Sequence, residues 1–290
     1  MAIIADGKIL ARQKQQQLKT VVASLARQSI TPKLVWISIG DTPENQLYGH
    51  VKQKAASQLG IDFHNLTITT ANQLQQLPEQ IQTFNQDSTI HGIIVQLPAL
   101  IENQRLDANQ LITILSLINP YKDVDCLTPT NLGKLMIGAP VFLPATVASV
   151  NHLLNDATSQ LYQAKLQDWL PGKRVTVIGG GLEIGKPLVS FLSNQGATVL
   201  WARSTEQALL DITQNADVIV SATGKSNLIN ADMIKADSIL IDVSSPQADF
   251  DFRSVETKAA YITPVPGGVG PLTVASLMEH VIAAAQMRLL

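Results

Sequence analysis

Short β-rich runs alternate with segments of helical period along this chain, in two series, and that alternation limits its fold more than any other feature. In the first series Lys33–Ile39 and residues 61–69 and 92–95 read as strands. Residues 10–25, residues 44–59 behind Pro43, and residues 73–85 and 107–117 carry helical spacing, with Gly60 as a left-handed cap. From 119 to 144 the pattern breaks into turn signals: Asn119-Pro120, Thr128-Pro129, Gly133, Gly138 and Pro144. A domain junction is predicted there, with residues 145–154 a connecting helix. The second series places strands at Arg174–Ile178 and at 198–201, 217–222 and 238–243, with a helix over Gly185–Asn194. Strands separated by helices pair in parallel through right-handed crossovers. The expectation is therefore an α/β chain of two domains. The first covers residues 1–143, with a closing helix at about 272–290 packing back on it; the second, 144–271, is a Rossmann-like parallel sheet.

The 290 residues suit two domains of roughly 150 each, and 46% apolar content fills a core in both. A net charge of −2 offers nothing to a polyanion, so neither nucleic acid nor an anionic membrane is an expected partner. Cys126 is the single cysteine, which excludes an internal disulfide framework and fits a reducing, cytoplasmic setting. Asp6 interrupts the start too early for a secretory leader, and no run reaches the roughly 20 apolar residues of a membrane span. His50, His64, His91, His152 and His280 show no metal-ligand spacing, so no metal is expected. Neither a Ser-His-Asp nor a Cys-His arrangement is legible.

The most chemical feature of the second half is a strand followed by Gly179, Gly180, Gly181 and Gly185 at the opening of a helix. Glycines let a pyrophosphate approach the backbone, and the helix start offers free N–H groups and a positive dipole end. The last glycine stands one residue later than in the usual dinucleotide fingerprint, and a plain tight turn is the competing reading. After the next strand comes Ala202-Arg203-Ser204, with no carboxylate before Glu206. An acid there would hold the 2′-hydroxyl of NAD; Arg203 instead suits a 2′-phosphate. NADP is the expected cofactor, with NAD the alternative. In the first half Tyr48 and Lys52 lie four apart on one helical face, where burial would ease the lysine toward proton transfer.

Together these features resemble the bifunctional methylenetetrahydrofolate dehydrogenase/methenyltetrahydrofolate cyclohydrolase family. Four motifs carry the likeness, in order and over nearly the whole chain: Gly40-Asp41-Thr42-Pro43 running on to Tyr48, Lys52, Lys54 and Ala55; Gly92-Ile93-Ile94-Val95-Gln96-Leu97-Pro98; Pro120-Tyr121-Lys122-Asp123-Val124-Asp125; and Ile262-Thr263-Pro264-Val265-Pro266-Gly267-Gly268-Val269-Gly270-Pro271. The resemblance implies oxidation of 5,10-methylenetetrahydrofolate with NADP, then hydrolysis to 10-formyltetrahydrofolate. It makes Lys52 the central catalytic group, with Tyr48 orienting the folate and Gln96 holding Lys52. Asp125 would bind the amino-pyrimidine edge, Asp123 being a second carboxylate that binds substrate or braces the loop. Pro264, Gly267 and Gly268 would meet the ligands. Gly179, Gly180, Gly181, Gly185, Arg203, Ser204 and Ser245 would hold the cofactor, in a homodimer.

The chain departs from the family pattern at several places. Gly180-Gly181 replace an Arg-Ser pair, Ala99-Leu100 replace Leu-Pro, Cys126 replaces a glycine, and Ser244-Ser245-Pro246 replace Gly-Ile-Asn. Pro144-Ala145-Thr146-Val147-Ala148-Ser149 is a reduced form of a Pro-Cys-Thr-Pro motif. Beside the bifunctional reading stand a paralogue confined to cyclohydrolase or related pterin chemistry, a two-domain hydroxy-acid dehydrogenase, and a non-catalytic sensor.

Overall fold

The computed structural model describes residues 1–101 and 104–287. In chain order its elements are β1 (Ile3–Ile4), α1 (Gly7–Ala26), β2 (Lys33–Ile39), α2 (Pro43–Leu59), β3 (Asp62–Ile68), α3 (Ala71–Gln86), β4 (Gly92–Gln96), β5 (Leu100–Ile101), β6 (Gln104–Arg105), α4 (Ala108–Ser116), α5 (Pro129–Met136) and α6 (Ala145–Tyr162). There follow α7 (Leu166–Trp169), β7 (Arg174–Ile178), α8 (Gly185–Asn194), β8 (Thr198–Ala202), α9 (Leu209–Thr213), β9 (Val218–Ser221), β10 (Ile239–Asp242), α10 (Phe252–Val255), β11 (Tyr261–Ile262) and α11 (Val269–Met287). The chain divides into two units. One comprises Arg12–Lys134, Pro140–Ala145 and the chain from Val274; the other comprises Met1–Ala11, Leu135–Ala139 and Thr146–Thr273.

In the first unit β2 lies between β3 and β4, all parallel. Buried on both faces, β2 reads as an unbroken apolar run, with Leu34, Val35, Ile37 and Ile39 fully enclosed. Local chemistry sets the bounds of α2. Thr42 caps it by accepting from Asn45 N at 3.1 Å, Pro43 follows in the first turn, and Gly60 ends it at φ 74°. Reciprocal caps between Thr70 and Gln73, and between Asp107 and Gln110, open α3 and α4. The far part of α11 belongs to this unit, where His280 Nδ1 lies 2.9 Å from Val124 O and Glu279 pairs with Lys14.

The second unit carries six parallel strands in the order β1-β11-β10-β9-β7-β8. From β7 the chain moves outward to β8 and then returns to β9 on the other side of β7. That reversal creates a switch point at the carboxyl ends of β7 and β9, where ligands of open α/β sheets bind. Ile219, Leu240, Phe250 and Ile262 form part of a core on one side of this sheet.

Several expectations are corrected. The segment 119–144 is not all loop, because it contains α5. Its Thr128-Pro129 signal is a helix start, Pro129 leading and Thr128 Oγ1 accepting from Asn131 N at 3.2 Å. The connecting helix continues past 154 to Tyr162. Residues 1–11 group with the second unit because Ile3 and Ile4 pair with Tyr261 and Ile262. The closing helix begins at Val269, inside the expected glycine-rich loop; residues 288–290 of its expected span lie outside the described residues. Among the described residues no helix is long and apolar enough to cross a membrane.

Candidate active site

Helix α2 carries Tyr48 and Lys52 one turn apart, both half-buried. Lys52 Nζ donates to Gln96 Oε1. Gln96 ends β4, whose register pairs it with Ser38 of β2, and only 7% of it is exposed. A second donor reaches the same oxygen: the indole N–H of Trp36, at 3.4 Å. The amide's other end donates from Nε2 to Leu97 O at 2.6 Å.

Asp125 joins this group through charge. Its Oδ1 accepts from Ala145 N at 2.9 Å, and the nearby Lys52 acts on its carboxyl. Burial nevertheless dominates and lifts its pKa above the ordinary carboxylate value. Lys52, Gln96 and Asp125 are thereby brought together from α2, β4 and the loop between α4 and α5.

Asp123 has a different occupation. It accepts from Leu127 N at 3.1 Å, Thr128 N at 2.9 Å and Asn131 Nδ2 at 2.9 Å, so its carboxylate braces the turn into α5. Between the two acids Cys126 adopts φ 55°, a left-handed conformation costly for a side-chain residue, at the position where the resembling family has glycine. Burial, then the charges of Asp123 and Asp125, push its thiol pKa well up, so it is no thiolate nucleophile.

In the second unit the turn after β7 sits at the switch point. A Cβ on Gly179 would lie 2.6 Å from Ala222 O, and one on Gly185 only 2.1 Å from Gly179 O. Neither position admits a side chain. Gly181 by contrast faces open space, and the place of a Gly180 Cβ lies 3.9 Å from the Arg203 guanidinium. Arg203 therefore lies beside the very turn whose arginine the chain lacks. Trp201 Nε1 donates to Gly179 O at 2.7 Å, tying the end of β8 to the turn. Ser204 follows, half-buried. A bare backbone cradle, a ten-residue helix start and a guanidinium together match what a phosphorylated dinucleotide requires.

Ser245, Pro264, Gly267 and Gly268 line a separate cavity of about 230 Å³ in the same unit, together with Lys8 and Ser244. Beneath it Asp242 is 2% exposed. Its Oδ1 accepts from Ser244 N at 3.0 Å and from Ser244 Oγ; its Oδ2 accepts from Asp249 N at 2.7 Å and Phe250 N at 3.2 Å. Burial drives its pKa to about 6, the Ser244 and Phe250 hydrogen bonds opposing and the Asp249 charge adding. Trp36, Lys8 and Asp242 are the site-lining residues that sequence reasoning missed. None belongs to a spacing rule, although an Asp closing a parallel strand is a fair pointer to a ligand loop. Among the described residues no three His, Cys, Asp or Glu side chains group as a metal site.

Comparison with known proteins agrees with this geometry. Residues 5–125 match the model of the tetrahydrofolate dehydrogenase/cyclohydrolase catalytic domain, and residues 144–289 that of the NAD(P)-binding domain. The bifunctional protein FolD of Exiguobacterium sibiricum is 36% identical, with 99% of this chain and 100% of that protein covered. The FolD crystal structure from Campylobacter jejuni superposes with a TM-score of 0.87 at 34% identity, covering 99% and 100% of the two chains. That of Trypanosoma brucei, complexed with NADP cofactor and an inhibitor, gives 0.88 at 32% identity, covering 99% and 98%.

Proposed function

This chain belongs to the tetrahydrofolate dehydrogenase/cyclohydrolase family, and from that premise we propose how its own residues carry the two reactions. It is a bifunctional enzyme that oxidises 5,10-methylenetetrahydrofolate to the 5,10-methenyl form with NADP and hydrolyses that product to 10-formyltetrahydrofolate. The observation that carries the residue roles is the Lys52–Gln96 hydrogen bond with Asp125 close by.

Lys52 is the proton-transfer residue. In the hydrolysis, water adds to the bridge carbon, the bond to N5 breaks, and the formyl group stays on N10. A proton must leave the water and another must reach N5. A primary amine on a flexible stem serves both needs, and Gln96 Oε1 sets where its Nζ points. Tyr48, one turn earlier on α2, orients the folate ring against that amine. Asp125 receives the N–H donors of the amino-pyrimidine, a charge-assisted pairing that fixes the pterin. Asp123 acts through the loop by holding it.

NADP, when bound, supplies the hydride acceptor. Gly179, Gly180, Gly181 and Gly185 give its pyrophosphate a bare backbone and a helix start. Arg203, helped by Ser204, takes the 2′-phosphate, and Ser245 contributes from the loop after β10. Pro264, Gly267 and Gly268 keep the ligand-contacting role that the resemblance gives them, a reading supported by the cavity they line. Folate binding is assigned to the unit of Arg12–Lys134, Pro140–Ala145 and the chain from Val274, and dinucleotide binding to the other unit; the catalytic-domain match over 5–125 and the NAD(P)-binding match from 144 support the assignment of the two main segments. A cytoplasmic homodimer completes the proposal, resting on the family resemblance and on a lone buried thiol suited to a reducing compartment.

Absorbance at 340 nm with methylenetetrahydrofolate tests the cofactor assignment. The rise is expected to be faster with NADP than with NAD. Equal rates with the two cofactors would remove Arg203 from its role, and no rise with either would remove the dehydrogenase reaction.

A further inference from the structure

We infer that Trp36 is a positioning residue for Lys52, acting through Gln96 and seated under α2 by the missing side chain at Gly49. The inference deepens the proposed catalytic role of Lys52 and rests on it.

Gln96 has one carbonyl oxygen and one NH2 group, and every hydrogen bond around them points the same way. Lys52 Nζ and Trp36 Nε1 both donate to Oε1, while Nε2 donates to the Leu97 carbonyl. Turning the amide over would set its NH2 against two donors and its oxygen against another carbonyl. An indole N–H donates and never accepts, so it reads the oxygen alone. A hydroxyl or a water in its place would accept as readily as donate and would no longer help to oppose inversion of the amide. Trp36 is 2% exposed, which removes competing solvent and strengthens the discrimination.

The tryptophan fits only because of its neighbour. A Cβ on Gly49 would lie 2.7, 2.9 and 3.3 Å from three atoms of the six-membered part of the Trp36 ring. Those are its three nearest atoms, so the ring lies directly beneath the helical turn that joins Tyr48 to Lys52. Glycine inside a helix is less favourable than alanine. At this position that cost admits a large ring between strand and helix. The two ends of one indole thus touch the two parts of the site: the N–H meets Gln96 on β4, and the carbocycle meets the backbone of α2. Phe63, at a ring-centre distance of 6.3 Å, helps to hold the plane.

The test uses the full-length enzyme and its cyclohydrolase reaction. Trp36→Phe keeps an aromatic ring and removes the N–H. We expect kcat to fall roughly five- to ten-fold, the size expected for one hydrogen bond, with KM changed less than two-fold and the pH profile of kcat displaced. In a Gln96→Ala background the same substitution is expected to change kcat less than two-fold, because the group it orients is gone. An unchanged kcat in Trp36→Phe, or an equal factor lost in both backgrounds, would overturn the inference. Gly49→Ala provides a second route that alters no polar group and favours the helix. It should lower kcat in the same way by pushing the ring, and wild-type activity with folded circular dichroism would count against the seat. Lys52→Met serves as the control. Activity surviving there defeats the catalytic reading itself, whereas a dead Lys52→Met beside a normal Trp36→Phe defeats only the present inference.

Discussion

Lys52 and Gln96, 44 positions apart in the chain, meet through a hydrogen bond from the lysine Nζ to the glutamine Oε1. The lysine stands on a helix and the glutamine at the end of the second strand after it. Backbone elements rather than loops therefore hold both partners, and this is how a flexible amine acquires a direction.

Lys52→Met should abolish both activities, with kcat for hydrolysis falling at least about a thousand-fold, since acid–base groups contribute on the order of 10²–10⁴. Lys52 is half-buried, so an apolar side chain of similar length fits the same space. Far-ultraviolet circular dichroism should match the wild type. Appreciable turnover by the folded variant would strike Lys52 from its role.

Asp125→Ala should raise the KM for folate by about ten-fold or more, in line with loss of a charged hydrogen-bond acceptor. Binding of NADP, followed by fluorescence or calorimetry, should stay the same. Because burial holds this carboxyl above its ordinary pKa, folate affinity should weaken on the acid side sooner than for an ordinary aspartate. An unchanged KM would rule out Asp125 as the pterin anchor.

Arg203→Ala should weaken NADP by roughly ten-fold or more and NAD by much less, since only NADP offers a phosphate to the guanidinium. Arg203 stands beside Gly180 and not in the turn itself, which puts a guanidinium next to the turn that would hold the cofactor. Titration of each dinucleotide decides the matter, and parallel losses for the two would contradict the assignment.

Asp242 should give folding stability a distinctive pH dependence. Its pKa is about 6 in the folded protein against a reference of 3.8, so folding takes up a proton between those values. This contribution is fully present below the lower value and is lost as pH rises through about 6. Between pH 8 and pH 5 the wild type should gain about 1.4 kcal/mol from this group. Urea denaturation of Asp242→Asn should lack that increment, although the amide NH2 mispairs with the backbone N–H donation to whichever oxygen it replaces and lowers stability at every pH. His280, buried with a lowered pKa, opposes the trend in both proteins, being stabilising above its unfolded value and lost as pH falls. The comparison therefore rests on the difference between the two slopes. Identical slopes would show that Asp242 does not titrate there.

Much of the fold was legible because its signals are local. Lys33–Ile39, Arg174–Ile178 and Gly185–Asn194 are recognisable from composition and from the glycines around them, and the structure keeps those limits. Tyr48 and Lys52 share a face simply because a helix repeats every 3.6 residues. The elements that escaped were too short to show a period, such as β1 and β11 with two residues each, or were disguised. Pro129 read as a breaker, whereas at the first turn of a helix it is an initiator.

The sequence by itself determined the alternation of strands and helices, the glycine turn at 179–185, the candidate residues and, through four ordered motifs, the family. Tertiary structure alone decided which of those residues act together. The register of β2 against β4 carries Gln96 to Lys52, and the loop between α4 and α5 turns Asp125 toward that pair while engaging Asp123 in its own brace. Trp36 lies at the centre of an apolar strand, where sequence reads it as core; its N–H gained a task only once a glycine on the helix above let the ring slide beneath. The reason is one of range. Backbone propensity and periodicity act over a few residues, whereas the orientation of a side-chain dipole depends on partners set by packing between elements.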